Sequence, residues 1–255
     1  MIRLAVALLF AALPLPALAA PCSNPDALGI ARVLTVDATA TPRVGRKEFA
    51  ETLPLGPKES VLTFDDGPWP TTTPAVLKAL KEQCVQATFF VLGRNVAAHP
   101  ELVRREFAEG HSIGHHTFSH PLLDHMAPAA AWEQIVKGVR ADEQALTGAA
   151  RAQATTPFFR FPCFASTPAL LDRAQAAGLV VFGADVWASD WRSQTPDEEL
   201  KLLLERIEKV DHGIVLLHDT RAQTARMLPA LLRALKARGY RIVHVVAAGP
   251  SRPLE

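Results

Sequence analysis

The sequence predicts an α/β protein built on a parallel sheet. Short apolar runs alternate with amphipathic stretches of helical period, and chemically capable polar residues stand at the carboxyl ends of those runs. Seven runs read as strands: Val61–Phe64, Ala87–Leu92, Ser112–Gly114, Phe158–Phe161, Leu179–Ala184, Ile214–Leu217 and Arg241–Val246. Six stretches between them read as helices: Thr73–Glu82, Pro100–Glu109, Ala129–Thr147, Pro168–Ala177, Pro196–Lys209 and Thr224–Arg238. Strand–helix alternation indicates parallel pairing with right-handed crossovers, either closed into a barrel or wound into an open sheet. In both cases a functional site lies at the carboxyl ends of the strands. Asp65-Asp66, His115-His116, Arg160, Asp185 and His218-Asp219 all stand there.

The punctuation agrees with these elements. Thr167-Pro168 and Thr195-Pro196 each place a capping hydroxyl before proline at the first helical position. Gly110, Gly178 and Gly239 stand where three helices should end.

The 255 residues suffice for one large domain, and the formal net charge is +1. That balance argues against nucleic acid or an anionic membrane surface as partner. Arg3, the apolar run Leu4–Leu13 and the small residues Ala17-Leu18-Ala19 read as an export signal over residues 1–20. The run is too short for a stable membrane anchor. Residues 21–56 read as an arm or short strands, 57–247 as the catalytic domain and 248–255 as a C-terminal tail. The expected protein is secreted or periplasmic and monomeric. Three cysteines follow the signal, which permits one bridge. Cys22 and Cys84 lie outside the motif segments and are the preferred pair; three free thiols are the alternative.

Thr63-Phe64-Asp65-Asp66-Gly67-Pro68 and His116-Thr117-Phe118-Ser119-His120 carry the chemistry. Two adjacent carboxylates repel unless a cation or a base role separates them, so one binds metal and the other takes a proton. His116 and His120, four apart, have the spacing that puts two imidazoles on one helical face. Two imidazoles and a carboxylate suit zinc or another borderline divalent ion. Arg160 ends an apolar strand and needs a partner; its fork would hold Asp65 bidentately. His218 at a strand end is a general acid if a carboxylate holds its tautomer, and Asp185, Asp190 and Asp219 each qualify. His115 reads as a supporting residue, His111 and His125 as surface or loop.

In order and spacing, these segments resemble the polysaccharide deacetylase family, the NodB-homology carbohydrate esterases, from about Ser60 to Val246. The resemblance implies a distorted (β/α) barrel of seven parallel strands. It implies Asp65 as base, with Asp66, His116 and His120 as ligands of Zn2+, or of Co2+ or Ni2+. It makes Arg160 the residue that positions the base, and Asp190 the support of the acid His218. It places Trp191 and Leu216 in the acetyl pocket. It also implies an acetylated carbohydrate, chitin oligomers or peptidoglycan, as substrate. Two segments depart from the family pattern. Phe161-Pro162-Cys163-Phe164 stands where Tyr-Gly usually follows the proline, and Trp187-Ala188-Ser189 precedes Asp190. Cys163 keeps the backbone N–H that the family turns toward the oxyanion. The alternatives are a non-catalytic, metal-containing glycan-binding protein on the same fold, or a metal amidase acting on other C–N bonds.

Overall fold

The computed structural model describes Cys22 and residues 24–254; the expected export signal lies outside the described residues. All strand pairs are parallel. At the centre is β3 (Glu59–Asp65), whose ladder with β9 (Gly213–His218) runs from Ser60↔Gly213 to Asp65↔His218. The carboxyl half of β3 also pairs with β4 (Thr88–Val91). From β4 the order continues through β5 (Ser112–His115), β6 (Phe158–Phe159) and β7 (Val180–Phe182). All seven expected strands form. The seventh, β10 (Arg241–Ala247), pairs with the start of β3.

Three short strands join them. The arm supplies β1 (Arg32–Val36) along β10 and β2 (Arg43–Val44) along β7. The third, β8 (Val186–Trp187), pairs with β9. It arises because the apolar run at 179–184 serves two ladders in turn. Gly183 N–H donates to Val44 O at 2.6 Å, and two residues later Asp185 N–H donates to Ile214 O at 2.9 Å. The sheet curls round between β7 and β8 without a ladder to close it, so the barrel is distorted and open there.

Period two along β3 explains how a buried strand carries polar groups. Leu62 and Phe64 face the helices, within the larger apolar cluster. Val61 faces the interior, with Phe90, Phe158, Phe182, Ile214 and Val243. Thr63 and Asp65 share the face of Val61, so the polar chemistry sits inside the curl of the sheet.

The six expected helices form within two residues of their expected bounds: α1 (Thr73–Glu82), α3 (Pro100–Ala108), α4 (Pro128–Thr147), α5 (Pro168–Ala176), α6 (Pro196–Val210) and α7 (Ala222–Ala237). Thr167 Oγ1 accepts from Leu170 N–H, and Thr195 and Glu198 form a reciprocal capping box. Sequence analysis misses α2 (Gly93–Ala98), a six-residue helix that starts on glycine with no capping side chain. A Cβ on Gly93 would meet Gly138 Cα at 2.9 Å, and one on Gly138 would meet the Thr117 carbonyl carbon at 2.6 Å. These two glycines let α4 approach the loop that carries His116 and His120.

Residues beyond β10 are docked rather than trailing. Leu254 is buried, its N–H donates to Ala152 O, and its carbonyl accepts from Trp132 Nε1 at 2.8 Å. Cys22 and Cys84 are bridged, with Cα atoms 5.8 Å apart and a sequence separation of 62. A loop of that length is worth about 4 kcal/mol in the chain-entropy account. Cys84→Ser should therefore lower the melting temperature by roughly 10 °C in calorimetry. A shift below a degree or two would show that the bridge does not tie down the arm.

Candidate active site

The site forms where β3 ends. Asp65 continues the strand with its side chain inward. Asp66 then takes φ 75°, a left-handed conformation that Asp tolerates better than most residues. The chain turns at Gly67, where a Cβ would stand 2.4 Å from both carboxylate oxygens of Asp219; only glycine fits. Asn95 Nδ2, from α2, donates to Asp66 O at 2.7 Å. The turn thus brings two adjacent carboxylates to one cleft.

His116 and His120 do converge, but not on a helical turn as their spacing suggests. The segment after β5 is an irregular loop in which Thr117 and His120 both have positive φ, 69° and 65°. Thr117 Oγ1 accepts from His120 N–H at 3.1 Å and holds the bend. A bend of this kind leaves no periodic signature.

Each remaining part of the triad is aimed. His116 Nδ1 lies 2.7 Å from Arg160 O, so it carries the proton and Nε2 keeps its lone pair. Burial lowers the His116 pKa to about 3 against the pull of Asp66, which keeps the ring neutral. Asp66 Oδ1 lies 3.6 Å from His116 Nε2 and 3.3 Å from His120 Nε2. That oxygen is buried and has no hydrogen-bond partner. Donor atoms of the three residues all lie within 4.8 Å of one another. An orphaned carboxylate oxygen between two imidazoles fits a divalent cation.

Arg160 is fully buried. The expected bidentate grip on Asp65 is not what forms. Nη1 alone reaches Asp65 Oδ1, at 2.6 Å, and also donates to Thr63 Oγ1. Nη2 donates to Gly183 O at 2.8 Å and Nε to Phe182 O at 3.3 Å, while the guanidinium lies over the Phe90 ring. The backbone at the open seam of the barrel offers unpaired carbonyls, and they take the rest of the fork. Asp65 Oδ2 is left facing the cleft, 3.9 Å from His116 Nε2. Burial pushes the Asp65 pKa up, and the Arg160 charge opposes it.

On the far wall His218 stands opposite Asp65 in the ladder. Of its three possible partners the structure selects Asp190. Oδ1 lies 2.8 Å from His218 Nδ1, and Oδ2 accepts from His218 N–H at 2.7 Å and from Thr224 Oγ1. Burial alone would lower His218. The Asp190 bond and charge, with Asp65 and Asp66 behind them, overcome that and lift its pKa to about 9. Asp185 instead binds Arg46, Thr52 and Ile214 N–H, and Asp219 accepts from Thr73 under the Gly67 turn. Both are structural, which their strand-end positions did not reveal. His115 pairs with Asp142 at 2.6 Å behind the site. His111, expected at the surface or in a loop, lies in the loop before β5 but is buried there as the acceptor of Ala87 N–H.

Asp65, Asp66, His116, His120 and His218 line one cleft of about 410 Å³ with Cys163, Trp191 and Leu216. Leu216 is buried beneath it, Cys163 is exposed with φ 50°, and Trp191 lies edge-on to His218 at 6.1 Å. Phe164 and Trp187 continue the wall, with ring centroids 6.3 Å apart. Arg221 also lines it; sequence analysis missed this residue, which follows the His218 motif and carries no signal of its own.

The sequence profile described as "Polysaccharide deacetylase" matches residues 53–182. The chain is 37% identical over 201 residues to a chitooligosaccharide deacetylase of Bradyrhizobium, covering 73% of this chain and 89% of that protein. It is 36% identical over 193 residues to a peptidoglycan-N-acetylglucosamine deacetylase of Listeria monocytogenes, covering 74% of this chain but only 38% of that longer protein. Among solved structures, a peptidoglycan deacetylase of Bdellovibrio bacteriovorus superposes with a TM-score of 0.76 at 30% identity, over 88% of this chain and 61% of that one.

Two measurements test the geometry. By NMR titration of the metal-free protein, His218 should titrate near 9, and Asp190→Asn should move it toward or below the 6.5 of a free imidazole. The pKa is raised on folding, so the stability it contributes is full below 6.5 and lost as pH rises through about 9. Unchanged titration in the variant would refute the Asp190 contact. Arg160→Met should cost about 3–5 kcal/mol in urea unfolding, because it strands the buried Asp65 carboxylate. Adding Asp65→Asn should recover part of that loss.

Proposed function

The chain belongs to the polysaccharide deacetylase family, hydrolases acting on carbon–nitrogen bonds of the chitooligosaccharide and peptidoglycan type, and from that premise we propose an exported, monomeric, metal-dependent enzyme that removes N-acetyl groups from such glycans. One observation carries the reading. A metal-binding triad with an orphaned carboxylate oxygen, a carboxylate aimed by a buried arginine, and a carboxylate-backed histidine face a single cleft.

Asp66, His116 and His120 would hold the cation, zinc foremost with Co2+ or Ni2+ as substitutes. When bound, it supplies Lewis acidity to water and to the acetyl carbonyl. Asp65, held by Arg160, takes one proton from the attacking water as its oxygen adds to the acetyl carbon. The backbone N–H of Cys163 donates to the oxygen that gains charge; one well-placed donor of this kind is worth about 3–4 kcal/mol. The C–N bond then breaks, and His218 gives its proton to the departing nitrogen. Acetate and a free amine leave. Leu216 and Trp191 form the pocket for the acetyl methyl group. The export-signal pattern and the Cys22–Cys84 bridge support a site of action outside the cytoplasm.

Acetate release from chitotetraose and from peptidoglycan fragments tests this. Asp66→Ala and His116→Ala should lose both bound zinc and activity. Asp65→Asn should keep zinc and lose about 10²–10⁴ in kcat. Retention of wild-type turnover by any of the three would sink the mechanism. Activity should fall as pH rises through the His218 pKa, and Asp190→Asn should move that limb to lower pH. Cys163→Ala should stay within about threefold of wild type, because the N–H remains while the thiol goes. A large loss would assign the thiol itself a role.

A further inference from the structure

The acid side of the cleft holds cations that the mechanism does not use. Arg221 caps α7, and its N–H donates to the carbonyl of His218 at 3.2 Å. Its side chain lines the cleft, its Nε is buried without a hydrogen-bond partner, and it forms no ion pair among the described residues. A buried donor left unpaired is unfavourable, so it calls for an acceptor from outside the chain. The two carboxylates that line the cleft with it face other groups: Asp65 binds Arg160, and Asp66 stands between His116 and His120. Elsewhere on the surface arginines do find acids, as in Arg32–Glu59, Arg43–Asp172 and Arg238–Glu208.

A second cation lies along the same wall. Lys47, exposed on the arm, sits with Nζ 4.7 Å from the centroid of Trp187 and likewise forms no ion pair. Trp187 joins Phe164 to Trp191 as a continuous aromatic shelf leading to His218. Aromatic faces suit the apolar faces of sugar rings. A guanidinium at the start of a sixteen-residue helix suits a planar anion. We propose that Arg221, with Lys47 further out on the shelf, makes this site select acetylated glycans that carry a carboxylate on the reacting sugar or its neighbour. The inference rests on the deacetylase reading and narrows its substrate class. Such a carboxylate is found in the lactyl ether of peptidoglycan and in the uronate of acidic xylans.

The test uses the zinc-loaded full chain on four substrates: chitotetraose, peptidoglycan disaccharide oligomers with free carboxylates, the same oligomers methyl-esterified, and acetylated glucuronoxylan. The wild type should favour the free acid over its ester by about tenfold in kcat/KM, mostly through KM, and added salt should erode that preference. Arg221→Gln should abolish the preference, Arg221→Lys should restore part of it, and Lys47→Gln should weaken it. Preference for the lactyl or for the uronate substrate identifies the source of the carboxylate. Equal rates on acid and ester overturn the proposal. So does an Arg221→Gln variant that slows all substrates alike, or one that changes only inhibition by product acetate. If no substrate is deacetylated, the deacetylase reading fails. Calorimetric binding of the free acid against the ester then decides the inference separately.

Discussion

The site depends on one buried cation. Arg160 is wholly enclosed in a protein interior, where an unpaired guanidinium would be prohibitive. Each of its three guanidinium nitrogens finds an acceptor, and those contacts set the site. Its side chain binds Asp65, the proposed base, and the backbone carbonyls of Phe182 and Gly183. Its own carbonyl takes the Nδ1 proton of His116 and so turns Nε2 toward Asp66. One residue therefore fixes the proposed base, the tautomer of a proposed metal ligand and the backbone at the open seam of the barrel. The distortion of the barrel and the chemistry share a cause. Carbonyls that would pair across a closed sheet instead receive the guanidinium.

The strands and the longer helices were legible because each has a local cause. Period-two and period-3.6 patterns mark them, and caps and glycines end them. The residues proposed to carry the chemistry could be picked out because they cluster at strand ends. What sequence could not show was the geometry joining them. The His116–His120 loop has no period, since it is made by two left-handed residues and one threonine hydroxyl. The Arg160 fork looked bidentate because nothing local marks Gly183 as its other acceptor. Asp185 and Asp219 stand at strand ends as the proposed site residues do, yet one anchors the arm and the other supports the Gly67 turn. All three aspartates are buried, so only their partners separate these two from Asp190, and partners are a tertiary fact.

Behind the proposed metal triad lies a set of carboxyl groups that stability alone would not select. Glu106 is fully buried with neither oxygen hydrogen-bonded, and burial drives its pKa well above the ordinary carboxylate range. Burial lifts Asp142 to about 6 and Asp219 to about 7. Raised values mean that these groups gain protons more readily than ordinary carboxyls. That limits the negative charge packed behind Asp65 and Asp66. Both loops of the triad rest on this layer, through His115–Asp142 on one side and Gly67–Asp219 on the other.

Asp65 and His218 face each other across one ladder, and the base and acid roles proposed for them require opposite protonation states at the same pH. A base and an acid so close tend to exchange their proton, which would disarm both. The fold opposes that exchange with separate partners set on opposite sides. Arg160 approaches Asp65 from the barrel interior and favours its charged form. Asp190 approaches His218 from the outer loop and favours the imidazolium. Burial pushes Asp65 upward against the Arg160 charge, and the Asp190, Asp65 and Asp66 carboxylates lift His218 to about 9. The same charges keep the two side chains in different electrostatic surroundings while β3 and β9 hold them together in space.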